Sequence, residues 1–213
     1  MTVKNAILGI CLMGLTISAS AQPGRHKGGN LQQVTTISGT IAEWTYNDDF
    51  EYDGLYLNTG SASVFVKFPP HLAQQVRDLG KNLTVNGVFH FNREGVQELK
   101  MTSMSGNGQT VYDQKPMRNE VYVQEPFVNS EGKVKQLQIN KKGDTVGYIL
   151  ENSILVRIPP RSAFQLSQMV QIGSVIGYTG VEKTLKSGHV RASDYKIIRC
   201  QTISVNGTQY MVR

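Results

Sequence analysis

Cysteine is nearly absent from this sequence: Cys11 and Cys200 are the only two among 213 residues. Once the N-terminal segment described below is removed, Cys200 stands alone, so no internal disulfide can form and stability has to come from a hydrophobic core. Cys200 sits beside Ile197 and Ile198 with no His or Asp placed to activate it, and reads as a buried structural thiol. Histidine is also sparse, with four in the chain. His26 lies in a polar leader, His71 follows a double proline, and His90 has no cysteine or second histidine at ligand spacing, so the sequence offers no metal site. There is no Gly-rich phosphate loop, no serine in a nucleophile elbow, and no carboxylate pair set in contrasting surroundings. These absences point away from an enzyme and from any cofactor, and towards a binding protein. Long apolar runs are missing too. Ala6 to Ile17 falls short of the roughly 20 residues that cross a bilayer, and no transmembrane segment is expected.

That run instead fits a secretory signal. Lys4 gives a short positive region, the apolar run follows, and Ala19-Ser20-Ala21 supplies a small-residue cleavage site before Gln22. Ile10 stands before Cys11 where a lipid-modified cysteine follows a small residue, so lipidation is not expected. The expected division is a signal peptide over 1–21, a flexible Gly-rich leader over 22–30, and domains over 31–113 and 114–213. Export would leave the product periplasmic or extracellular.

What the chain does have is an internal repeat. Val64-Phe65-Val66-Lys67-Phe68-Pro69-Pro70-His71 returns as Ile154-Leu155-Val156-Arg157-Ile158-Pro159-Pro160-Arg161, an offset of 90 residues. Val64, Val66 and Phe68 share one parity, so a strand places them on one face, with Phe65 and Lys67 on the other. Proline cannot donate to a sheet ladder but suits the first turn of a helix, so the strand ends and a helix begins there. Leu72, Val76 and Leu79 then form an apolar stripe before Gly80; Leu166, Met169, Val170 and Ile172 do the same before Gly173. Gly54-Leu55-Tyr56-Leu57 aligns with Gly147-Tyr148-Ile149-Leu150 at an offset of 93. The first copy therefore carries extra residues in the turn after Leu57, and the second carries extra residues in its helix. Both copies close on an Asn-Gly hairpin signal, Asn107-Gly108 and Asn206-Gly207.

The other strands follow from alternation. Ile37, Gly39 and Ile41 mark the first strand, with Gly39 a bend; Leu55 and Leu57 point inward on the second, and Tyr52 and Tyr56 outward; Leu83 to Phe91 and Val96 to Met104 make the fourth and fifth. In the second copy, Val121 to Phe127 and Lys133 to Asn140 predict a longer first hairpin or a bent first strand. Five strands with a helix between the third and fourth resemble the OB-fold, a small Greek-key barrel, and more loosely the small exported OB-fold proteins of bacterial envelopes. The resemblance rests on Pro69-Pro70 and Pro159-Pro160 as helix starts, on Gly80 and Gly173 as helix ends, and on strand count. It implies a mainly β chain of two five-stranded barrels. A pair of β-sandwich modules is the alternative.

Charge separates the copies. Residues 31–113 hold five Lys or Arg against nine Asp or Glu; residues 114–213 hold fourteen against seven. OB barrels usually take ligands on the outer face of strands two and three and on the loops from one to two and four to five. In the second copy Lys133, Lys135, Lys141, Lys142, Arg157, Lys183, Lys186 and Arg191 are expected near that side, a basic groove suited to an anionic polymer or envelope surface. Nucleic acid is disfavoured by export and by the shortage of stacking aromatics. In the first copy Trp44, Tyr46, Phe50, Tyr52 and Tyr56 cluster with Asn47, Asp48, Asp49, Glu51 and Asp53, a combination suited to sugar rings. Asp49 to Gly54 resembles the opening of a calcium loop, but Gly60 occupies the twelfth position, where a carboxylate is required. A protein–protein scaffold in the envelope, with an acidic and a basic module docking on each other or on neighbours, is the further alternative.

Overall fold

In the computed structural model, which describes residues 31–92, 95–115 and 124–212, the chain forms two closed β-barrels in tandem. The predicted signal peptide and leader, and Val121 to Val123 at the start of the second copy, lie outside the described residues.

The first barrel runs β1 (Thr35–Tyr46), β2 (Tyr52–Asn58), β3 (Ser63–Lys67), a 3-10 turn (Pro70–Leu72) leading into α1 (Ala73–Asp78), β4 (Asn82–Phe91), β5 (Gln97–Gly106) and β6 (Gln109–Tyr112). The second repeats it with β7 (Phe127–Ile139), β8 (Thr145–Leu150), β9 (Ile154–Arg157), α2 (Pro160–Leu166), β10 (Val175–Glu182), β11 (Lys196–Val205) and β12 (Thr208–Met211). β1 pairs with both β2 and β4, and the parallel pairing of β3 with β5 closes the cylinder; β7, β8, β9, β11 and β10 close the same way. Closure leaves no open edge inside either ring. β6 and β12 extend past the five-stranded ring as hairpins on β5 and β11, their turns carried by Asn107-Gly108 and Asn206-Gly207, all four with positive φ.

Each barrel wraps its own core. Leu55, Leu57, Val66, Phe68, Leu72, Val76 and Leu79 are buried in the first, and Tyr148, Leu150, Val156, Ile158, Leu166, Val170, Ile176 and Tyr178 in the second. Pro69 and Pro159 hold extended backbone and hand over to Pro70 and Pro160 as the first helical residues, with no side-chain cap. α2 ends at Leu166, so the second copy's extra residues lie in the turns after the helix, and Ile172 is exposed. Both inward stripes are otherwise satisfied. The first strand of the second copy is one bent strand: β7 pairs with β10 up to Lys133 and with β8 from Val134, with a register shift before Gln136. β1 bends likewise, and at Gly39 a Cβ would stand 2.3 Å from the carbonyl oxygen of Asn58. Among the described residues no helix is long and apolar enough to cross a membrane.

Candidate ligand groove between the barrels

The turn from β1 to β2 is built by Asn47. Its Oδ1 accepts the backbone N–H groups of Asp49 and Glu51, at 2.9 and 3.1 Å, and Phe50 takes a left-handed φ of 56°. Asn140 does the same between β7 and β8, accepting from Lys142 and Asp144, with Gly143 at φ 86°. The two turns align at the 93-residue offset of the surrounding strands. Asp48-Asp49 thus corresponds to Lys141-Lys142, and Phe50 to Gly143.

These turns dock reciprocally on the outer faces of strands two and three. Phe50 packs on Ile149, Leu155 and Ile197, with its ring 5.2 Å from that of Tyr195 and 5.3 Å from that of Tyr46. Leu155 has outward parity yet is fully buried, because another barrel's aromatic ring covers it. In the opposite direction Lys141 stands over the Phe65 ring at 5.5 Å, a cation–π contact. The loop from β10 to β11 adds a second clamp. Tyr52 N–H donates to Val190 O, Ala192 N–H to Phe50 O and Gln74 N–H to Gly188 O, while Val190 packs against the first core. Gly188 fits there because a Cβ would stand 2.1 Å from the His71 carbonyl oxygen.

Charge follows the same seam. Arg157 Nε lies 3.0 Å from Asp49 Oδ1 and its Nη2 3.6 Å from Asp48 Oδ2; Lys183 Nζ lies 2.7 Å from Asp49 Oδ2 and 2.9 Å from Glu51 Oε1. His189 Nδ1 lies 3.2 Å from Glu51 Oε2. Glu51 is buried, which alone would raise its pKa, but hydrogen bonds and charge from Lys183 and then His189 hold it below the ordinary value. Burial likewise works against the charged Lys183, and Asp49 and Glu51 outweigh it and raise its pKa. A single replacement explains why Arg157 reaches across. In the first barrel Lys67 is paired within its own sheet to Asp53, but the residue aligned with Asp53 is Val146, so Arg157 finds its carboxylates on the neighbouring barrel.

The structure therefore brings some of the sequence-predicted site residues together and turns others elsewhere. Arg157 and Lys183 are taken up by the acidic turn, and Arg191 donates to Lys183 O at 3.0 Å. Trp44 and Tyr52 pack on each other and on the first core, Trp44 edge-on to Phe68 and also lining the groove around which Tyr46 and Tyr56 meet. Lys135 and Lys186 are exposed, and Lys133 pairs with Glu151 at 3.3 Å. Tyr46, Tyr56, Lys141 and Lys142, however, meet around one groove of about 560 Å³, with Glu43, Asp53, Lys67, Gln138 and Asn140. It lies over the first barrel's strand-two and strand-three face. At the position aligned with Phe50 the second barrel has Gly143, which has no side chain to pack on the first. The sequence reading missed Phe50 as a plug and His189 as a seam residue; the aligned Asn47 and Asn140 turns with inverted charge were the available signal. No protein-family model, no curated protein and no solved structure matches this chain.

Proposed function

We propose that this is an exported, non-enzymatic binding protein that holds an acidic polysaccharide in the groove between its two barrels. The observation that carries the reading is the unequal filling of the two equivalent faces. Phe50 packs on one, while on the other, with Gly143 at the aligned position, Lys141 covers Phe65 beside a groove where Tyr46, Tyr56, Lys141 and Lys142 come together. Tyrosine rings suit the C–H faces of sugars, and two lysines supply attraction for a negative charge. Glu43 and Asp48 on the rim temper that attraction and disfavour densely charged phosphate chains. The scaffold reading has an observation of its own, since the acidic turn and the basic barrel do meet. They meet inside one chain, however, which leaves those charges engaged and less available to a neighbour.

Titration of the full chain with polygalacturonate at rising ionic strength tests the proposal. Affinity is expected to fall steeply with salt and to be lost on charge reversal of Lys141 and Lys142. Absence of salt-sensitive binding to any acidic polysaccharide would remove it.

A further inference from the structure

The floor of the groove carries two polar atoms without partners. Asp53 is 6% exposed; its Oδ2 meets the Lys67 ammonium, while its Oδ1 is buried with no hydrogen bond, as is Thr45 Oγ1. All three residues line the groove with Tyr56. A bulge sets the direction of the carboxylate. Thr45 pairs with Gly54 and Tyr46 with Tyr52, so Asp53 is skipped in the ladder and its side chain turns towards Lys67. Nothing in the fold requires these groups. The second barrel makes the same register slip, pairing Gln138 with Gly147 and Ile139 with Thr145, with buried Val146 in the place of Asp53 and Gln138 in that of Thr45. Buried polar atoms are ordinarily satisfied, and two orphans on residues that line one groove ask for a donor and acceptor from outside.

Given the groove as a ligand site, we propose that Asp53, Thr45 and Lys67 form a hydroxyl-reading subsite and that the ligand is a polyuronate, bearing hydroxyls and a carboxylate on the same ring. The Lys67 side chain, 35% exposed, swings aside to admit the sugar. One ring hydroxyl donates to Asp53 Oδ1, Lys67 donates to its neighbour, and Thr45 Oγ1 completes the set. Tyr56 stacks on the ring, and Lys141 or Lys142 takes the carboxylate.

The experiment compares polygalacturonate with polyacrylate, which carries carboxylates and no hydroxyls, by calorimetric titration of the full chain at one ionic strength. Wild type is expected to prefer polygalacturonate, per carboxylate, by about tenfold or more, the scale of hydrogen bonds to a charged group. Asp53→Asn is expected to bring that ratio close to one, and Thr45→Val to lower it, whereas Lys141→Ala weakens both polymers and preserves it. Equal wild-type affinity for the two polymers, or a ratio unmoved by Asp53→Asn and Thr45→Val, overturns the subsite while leaving the groove standing. Binding of neither polymer overturns the groove, and the subsite with it. Circular dichroism checks that each variant is folded, and if Asp53→Asn is not, Thr45→Val decides.

Discussion

Lys183 is the residue on which most of the seam's charge converges. Its side chain is 19% exposed and that of Glu51 4% exposed, so taking the ammonium away leaves Glu51 with His189 and little water to offset its charge. Breaking a buried pair from one side costs more than the pair contributes. Lys183→Met is expected to lower stability by about 2–4 kcal/mol in urea denaturation at neutral pH, on the scale of such one-sided losses. Cys200 lies at the other extreme of reactivity. Burial pushes its pKa to about 12, and its thiol donates to Thr202 O at 3.1 Å. Thiol titration of a Cys11→Ser chain is expected to find Cys200 silent when native at neutral pH and labelled after denaturation.

At the scale of elements, the two Asn-built turns make the unequal filling of the two faces testable. Gly143→Phe is expected to place a ring over Tyr56 and Phe65 and to abolish polysaccharide binding, at a cost of about 1–3 kcal/mol for a non-glycine residue with positive φ. Phe50 already accepts such backbone, so the variant should fold, and titration of a folded variant checks the effect. Strand order, the double-proline helix starts and the closing hairpins were legible in the sequence because each follows from parity, a missing N–H or a positive φ. The seam was not. Outward apolar residues such as Leu155 and Ile149 have the alternation of a solvent-facing position, and nothing in their own strand announces the ring that covers them. Lysines at strand ends look alike in a sequence whether they face solvent or, like Lys183, face carboxylates more than a hundred residues away. Tyr52 turns inward because a bulge at Asp53 breaks the alternation of its strand, and Trp44 because β1 has a register shift of its own between Ile41 and Glu43.

For the whole molecule, backbone hydrogen bonds, exchanged apolar residues and ion pairs cross one seam, so the two barrels are expected to unfold together in a single urea transition at neutral pH. Acid should divide them. Folded Glu51 releases its proton more readily than the unfolded carboxyl, so its contribution is complete above the ordinary value of 4.5 and is lost as pH falls through its lowered folded value. Lys183 works in the opposite sense, complete below its ordinary 10.5 and lost as pH rises through its raised folded value. Unfolding followed at successively lower pH below 4.5 is therefore expected to pass from the one transition seen at pH 7 to two, with Trp44 fluorescence reporting the first barrel; coincident transitions throughout would refute this account. The reciprocal docking of two like turns also bears on symmetry. Such an exchange is the geometry of a twofold pair of identical chains, where any alteration in the turn strikes both contacts at once. Within one chain that constraint is lifted: the two turns are free to differ, and Phe50 in one stands against Gly143 in the other.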